Sequence, residues 1–239
     1  MNLSDPSDEF LSAISQKFNP EQIFSLHHQV KPFPGTLTFS SSPILSNINS
    51  LTLINLMYGT EQIKKCATYY PNLKFLSLRY DSAVSYKTII EIILGFQNSI
   101  RRIDVHSAKI RRYYSMTFKS SLYQNRTVEY LLLHVDFTDQ SSGMDSVPDD
   151  EWILGQTIDF IQCMINLRSV QLLIDSYNLE RFLDGNEWRN MVNRCSQLRK
   201  ITLRVTGGVL NNQQLAQVLK IQKDLLEIRD TIKFQVINN

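Results

Sequence analysis

Arg79, His106, His134 and Arg204 occupy equivalent places in four similar short segments of the chain. Each segment alternates between apolar and other side chains, which is typical of a strand with one buried face. Because alternate side chains of a strand face opposite sides of a sheet, we expect these four to share one face. Arginine and imidazole on an exposed face are suited to binding carboxylates. A surface for a peptide or an acidic partner is therefore the first chemical hypothesis.

Aromatic and further basic side chains belong to the same predicted face. Phe75 and Tyr130 each stand four residues before a member of the first set. Exposed aromatic residues beside arginine anchor many protein interfaces. The alternative is a solvated sheet face on which flanking loops cover the aromatic rings. The predicted partner-binding residues are Phe75, Arg79, Arg102, His106, Tyr130, His134, Lys200 and Arg204.

Metal binding is the second chemistry that the histidines suggest. His106 and His134 would lie about 4.8 Å apart if their strands are neighbours. Asp104 is the nearest carboxylate on the same face. Protein zinc sites need three or four protein ligands, and no further one is available in this pattern. We therefore predict no metal and no cofactor.

Residues 101–114 form the most basic run of the chain. Nucleic-acid binding through this run is the alternative function. The other interpretation is a solvated loop after a strand, paired with the acidic segment 139–151. The formal net charge of +2 favours the solvated loop. The charged and aromatic members are Arg101, Arg102, Lys109, Arg111, Arg112, Tyr113 and Tyr114.

Catalytic motifs are absent from the sequence. It contains no Gly-rich phosphate loop, no nucleophile elbow and no His-Glu-x-x-His pattern. The acidic loop around residues 145–151 lacks the alternating oxygen ligands and central glycine of a calcium-binding loop. We predict a non-enzymatic protein without catalytic residues.

The segments that position these side chains recur along the chain. The spacing apolar-x-x-apolar-x-apolar occurs six times, at intervals of 25 to 39 residues. Its second half alternates like a strand, and recurrence at such intervals indicates a repeat architecture. The six copies are Ile48/Leu51/Leu53, Leu73/Leu76/Leu78, Ile100/Ile103/Val105, Val128/Leu131/Leu133, Leu167/Val170/Leu172 and Leu198/Ile201/Leu203.

Apolar stripes with helical spacing lie between the strands. Strands that alternate with helices predict an α/β solenoid with about six to eight parallel strands on the concave face and helices on the convex face. A doubly wound sheet is the competing fold, but its Gly-rich first turn is missing. The stripes are Ile63/Cys66/Ala67/Tyr70, Ile89/Ile92/Ile93/Phe96, Trp188/Met191/Val192/Cys195 and the looser Leu215/Val218/Leu219.

Two regions are predicted. Residues 1–45 form an N-terminal helical cap, including a short helix over Glu21–His28, followed by an opening strand over Thr36–Phe39. Residues 46–239 form the irregular repeat domain, which ends in a strand over Ile232–Val236. The interval of 39 residues is about 11 longer than a typical repeat, so we place an acidic insertion at 137–155.

The six copies resemble leucine-rich repeats of the longer, helix-bearing kind. The ladder asparagine of such repeats is missing, and Asp81 stands near its place in one copy. Residues 165–172, 182–188 and 195–199 are also similar to the repeat region of proteins that carry an N-terminal F-box. In that family the F-box binds a ubiquitin-ligase adaptor and the repeats hold the substrate. Asp8–His28 lacks the Leu-Pro opening and the later Trp of an F-box, so the resemblance implies an adaptor only where an F-box stands outside this chain.

Composition places the chain among ordinary folded proteins, with 43% hydrophobic and 20% charged residues. It shows no secretory signal and no apolar run long enough to cross a membrane. The three cysteines, Cys66, Cys163 and Cys195, lie at or beside predicted helical stripes. We interpret them as small core residues in a reduced compartment, and we expect the cytoplasm or the nucleus.

Overall fold

The computed structural model describes residues 2–3, 25–29, 47–54, 70–80, 84–95, 99–107, 123–135 and 151–238. The strands are β1 Asn2–Leu3, β2 Ser25–Gln29, β3 Ser50–Ile54, β4 Phe75–Tyr80, β5 Arg102–Ser107, β6 Tyr130–Val135, β7 Ser169–Asp175, β8 Lys200–Thr206 and β9 Lys233–Asn238. The helices are α1 Tyr86–Gly95, α2 Glu151–Gln162, α3 Gly185–Arg194 and α4 Asn212–Ile228, with a 3-10 helix over Ser176–Phe182.

The nine strands of the described residues form one parallel sheet in which each of them pairs with its neighbours in this order. A doubly wound sheet reverses its strand order where its two halves meet. This sheet runs from β1 to β9 without reversal, and helices connect several of its strands. The predicted α/β solenoid is therefore confirmed.

The repeated apolar residues build the core on one face of this sheet. Leu76 and Leu78 are each 0% exposed, and Leu76 pairs with Leu51 of β3 and Ile103 of β5. The described members of the predicted stripes on α1 and α3 are buried in the same core. Burying one such side chain contributes roughly 1.5–3 kcal/mol. The predicted strand register is confirmed, since a slip of one residue would have exposed this set.

The N-terminal part of the chain differs from its prediction. Ser25–Gln29, which overlaps the C-terminal half of the short helix expected over Glu21–His28, forms strand β2 instead. β2 pairs along its whole length with β3, so Leu26 stands beside Leu51 in the register. Without β2, the backbone N–H and C=O groups on that side of β3 would be unpaired. Pairing them outweighs the weak helical preference of the five residues of β2. With β1 and β2 the described part of the sheet has nine strands, one more than the upper end of the expected range.

The stripe expected on α4 is confirmed at Val218 and wrong at Leu215 and Leu219. Leu215 and Leu219 are 46% and 56% exposed, whereas Val218, Ile221 and Leu225 are buried. Both sets have helical spacing, because apolar residues cover more than one side of α4. The local periodicity does not distinguish the side that packs on the sheet from the side that faces outward.

The side chain of Arg229, which follows α4, binds backbone carbonyl groups of the preceding repeat. Its guanidinium donates hydrogen bonds to the carbonyl oxygens of Val192 (2.8 Å), Cys195 (3.1 Å) and Leu198 (2.6 Å). These carbonyls lie at and just after the C-terminal end of α3, where a helix leaves its last acceptors unsatisfied. The closing strand β9, predicted over Ile232–Val236, follows this contact and spans Lys233–Asn238.

Several predictions fall wholly or partly outside the described residues. These are most of the N-terminal helical cap, the strand over Thr36–Phe39, the Ile63/Cys66/Ala67 stripe, Phe96, Lys109–Tyr114 and the acidic insertion up to residue 150. Residues 151–155 of that insertion are helical, because they begin α2. Within the described ranges, no helix combines the length and apolar character needed to cross a bilayer.

Candidate functional site

The sheet face opposite the core, called here the open face, carries three rows of side chains that run across the strands. The Phe75 row contains Phe75, Arg102, Tyr130, Ser169, Lys200 and Lys233. The central row contains Thr52, Ser77, Asp104, Leu132, Gln171, Thr202 and Gln235. The Arg79 row contains Arg79, His106, His134, Leu173, Arg204 and Ile237. All eight predicted binding residues therefore belong to the two outer rows.

The central row forms a polar floor between the outer rows. The short side chains of this row are buried: Ser77 is 4% exposed, Asp104 7% and Thr202 3%. In the outer rows, by contrast, Arg79, Arg102, Tyr130 and Lys200 are exposed. The side-chain amide nitrogen of Gln235 donates a 3.0 Å hydrogen bond to the hydroxyl oxygen of Thr202. The outer rows are consequently the parts of the open face that a partner reaches first.

Arg102 is fixed by contacts within the open face. Its Nε and one terminal nitrogen donate to the two carboxylate oxygens of Asp104, at 3.0 and 3.1 Å. Its guanidinium lies 5.3 Å from the ring centre of Phe75, within cation–π range. The hydrogen bond to Asp104 raises the pKa of Arg102, with a smaller opposing effect from burial. Arg102 therefore covers Phe75, whereas Tyr130 remains 46% exposed.

The Arg79 row has an excess of positive charge. Within the described residues, neither Arg79 nor Arg204 has a carboxylate within ion-pairing distance. Nε of Arg204 is buried and has no hydrogen-bond partner in the same part of the chain. A buried donor without an acceptor is unfavourable by about 1–3 kcal/mol. An incoming carboxylate or phosphate oxygen at this position would satisfy it.

His106 lies in the middle of the Arg79 row, and its environment opposes protonation. Partial burial and then the charge of Arg79 lower the pKa of His106. His134 acts in the same direction, and Asp104 opposes both. The imidazole is thus held neutral at pH values where it would otherwise begin to ionise.

This lowered pKa predicts a loss of stability in mild acid. Unfolded His106 takes up a proton near about pH 6.5, whereas folded His106 does so only at lower pH. The contribution of neutral His106 to the free energy of unfolding is therefore fully present above about pH 6.5. It is lost as the pH falls towards the pKa of His106 in the folded protein. We expect His106→Gln to flatten the pH dependence of the urea midpoint between about pH 8 and about pH 5. Gln171→Ala, which removes a neutral side chain of the open face, should keep the parent slope; an unchanged slope in His106→Gln would contradict the expectation.

The structure brings His106 and His134 side by side as the sequence suggests, in direct register on β5 and β6. No group of three or more His, Cys, Asp or Glu side chains in the described ranges is arranged to hold a metal ion. Cys163 and Cys195 are buried thiols. Burial raises the pKa of Cys163 to about 12 and that of Cys195 to about 11, so neither is a ready nucleophile at neutral pH.

The described cations of the 101–114 run are engaged with carboxylates. Arg101 donates to Glu129 at 2.9 Å, and Arg102 binds Asp104. Lys109 and the residues that follow it lie outside the described ranges. Nucleic-acid binding through this continuous run stays a prediction.

A second group of basic residues was missed by the sequence analysis. In four of the six repeats, the position after the first apolar residue of the motif is Lys74, Arg101, Arg168 or Arg199. The recurrence of a basic residue at one motif position is a signal that the sequence contains. A search for continuous basic runs does not detect it, because the residues are about a repeat apart.

Comparison with protein-family models finds no match, and comparison with the curated proteins finds no significant one. No family is assigned to the chain on these grounds. The leucine-rich-repeat and F-box resemblances rest on the motifs alone.

Proposed function

We propose that this chain is a non-enzymatic protein-interaction module that binds an acidic segment of a partner protein on its open face. The observation that carries the proposal is the Arg79 row, in which Arg79, His106, His134 and Arg204 align across five strands without an ion-paired carboxylate among the described residues. A solenoid sheet is a common binding surface because it is long and rigid.

The dimensions of the row fit an extended peptide. Arg79 and Arg204 stand four strand steps apart, which corresponds to about 19 Å at about 4.8 Å per step. An extended chain covers that distance with about six residues. Carboxylates near its two ends would pair with Arg79 and Arg204, and the imidazoles between them would accept or donate hydrogen bonds.

The F-box resemblance extends the proposal to the fate of the partner. If the chain acts as the repeat region of such a protein, the bound partner is a substrate for ubiquitination, and a segment outside this chain binds the adaptor. The interaction surface proposed here does not depend on that extension, since it follows from the open face alone.

A quantitative pull-down from cell extract tests the proposal. The open-face variant carries Arg79→Ala, His106→Ala, His134→Ala and Arg204→Ala. The matched control carries Lys87→Ala, Arg189→Ala, Lys220→Ala and Lys223→Ala, which remove basic side chains from the helices. We expect the parent and the control to recover the same proteins, and the open-face variant to lose them.

Peptides from a recovered protein then allow the affinity to be measured by fluorescence anisotropy. Loss of an interface arginine typically weakens binding by about 2 kcal/mol, which is roughly 30-fold in Kd. We expect such a loss for Arg79→Ala and for Arg204→Ala singly, and a stronger one when glutamates of the peptide are replaced by glutamine. An identical partner set for parent and open-face variant, or no protein partner at all, would refute the proposal.

A further inference from the structure

The edge of the sheet at which the parallel strands begin carries a separate basic surface. Each strand from β4 to β9 is preceded by a short turn, and the turns stack as the strands do. The carbonyl oxygen of Lys74 accepts from the backbone N–H of Arg101, and that of Arg168 accepts from the N–H of Arg199. The side chains of Arg101, Arg168 and Arg199, which are 27 to 125 residues from Lys74 in sequence, are thereby brought into one line.

This edge of the sheet carries an excess of positive charge. In the turns and first strand residues at 70–75, 99–102, 123–130, 163–169, 195–200 and 229–233 there are nine Lys and Arg residues but only two carboxylates, Glu129 and Asp230. Arg102 and Arg229 are used internally, by Asp104 and by backbone carbonyls. The remaining seven are called here the basic rim: Lys74, Arg101, Arg126, Arg168, Arg199, Lys200 and Lys233.

Glu129 neutralises only part of the rim. It contacts Arg101 at 2.9 Å and Arg168 at 3.5 Å, so one carboxylate is shared by two guanidinium groups. Both arginine side chains remain more than half exposed, at 58% and 55%. Within the described residues, no ion pair is formed by the other five members of the rim, Lys74, Arg126, Arg199, Lys200 and Lys233.

An exposed aromatic side chain adjoins the rim. Tyr130 is 46% exposed and follows Glu129 directly at the start of β6. A line of cations beside a free aromatic ring provides both contacts that single-stranded nucleic acids use, ion pairs to phosphates and stacking of a base. An acidic peptide would use the cations but would have no use for the ring. The rim spans five strand steps from β4 to β9, about 24 Å.

We propose that the basic rim binds the sugar-phosphate backbone of a single-stranded nucleic acid, with Tyr130 stacking on one base. This surface is distinct from the Arg79 row, which lies at the other end of the same strands. It also differs from the continuous run 101–114, because Lys74, Arg168 and Arg199 come from other repeats.

The test measures binding of a fluorescent oligothymidylate of about 20 nucleotides to the full chain by anisotropy. Five phosphate contacts predict that affinity falls roughly 100-fold between about 50 mM and about 200 mM NaCl. The rim variant with Lys74→Gln, Arg168→Gln and Arg199→Gln should bind at least about tenfold more weakly, with a salt slope smaller by about 2. None of these three residues belongs to the proposed protein-binding set, so the two proposals can fail independently.

Two further variants sharpen the test. The control with Arg189→Gln, Lys220→Gln and Lys223→Gln should retain the parent affinity and salt slope. Tyr130→Ala should weaken binding by about tenfold without changing the salt slope. No binding at about 50 mM NaCl, or equal loss in the rim and control variants, would overturn the proposal. Equally tight binding of a polyglutamate peptide, or of a duplex of the same length, would overturn the assignment to single-stranded nucleic acid.

Discussion

Leu172→Ala is expected to lower the free energy of unfolding by about 3 kcal/mol, whereas Leu173→Ala is expected to lower it by less than about 1 kcal/mol. The two leucines are neighbours in β7, but they face opposite sides of the sheet. Leu172 is 0% exposed and pairs with Leu133 and Leu203, both also 0% exposed. Truncating it leaves a cavity between two fixed strands.

Leu173 is a stringent control because it has the same chemistry and the same strand. It lies on the open face between His134 and Arg204, where water already reaches it and no cavity forms. Urea denaturation followed by circular dichroism measures both variants against the parent. Equal destabilisation, or a larger loss for Leu173→Ala, would show that the strand register is shifted by one residue.

Trp188→Ala should cost about 4 kcal/mol of stability, the largest effect that we expect from a single truncation. Trp188 is fully buried in α3, and its ring lies edge-on to Phe234 of β9 with the centres 5.6 Å apart. Its Nε1 donates a 2.7 Å hydrogen bond to the carbonyl oxygen of Phe182. The substitution removes the ring and leaves that buried carbonyl without its donor.

Two other substitutions separate these effects. Trp188→Phe keeps a ring in place but loses the hydrogen bond, so about 1–3 kcal/mol should be lost. Tyr177→Ala removes an aromatic side chain that is 60% exposed, and we expect a change within about 0.5 kcal/mol. If Trp188→Ala were no more harmful than Tyr177→Ala, the packing of α3 against β9 would be wrong.

The sequence was sufficient for the strands from β3 to β8. Their apolar residues repeat with a fixed spacing, and one-sided burial then leaves a single register, as at Leu76 and Leu78. It was insufficient for β2, where Ser25–Gln29 has only a weak pattern of its own and the neighbouring strand supplies the hydrogen-bond partners. It was also insufficient for α4, which has two apolar stripes of equal periodicity.

The placement of the candidate site follows from the same logic. Alternation within each strand predicted that Arg79 and His106 share a face, and the register places them directly side by side. The bidentate contact between Arg102 and Asp104 was not predictable, because it depends on rotamers of two side chains on one strand. The basic rim was overlooked since its members belong to different repeats and converge only when the turns stack.

The interval of 39 residues before β7 has a consequence for how this chain tolerates change. Joining two neighbouring strands through a flexible connection costs an entropy that grows only with the logarithm of its length. By this relation, the increase in the repeat interval from 25 to 39 residues corresponds to only about 0.4 kcal/mol. Segments between successive strands can thus gain or lose a dozen residues at almost no thermodynamic penalty, while the rows on the sheet keep their alignment. Variation in length and variation in binding surface are consequently independent in this architecture.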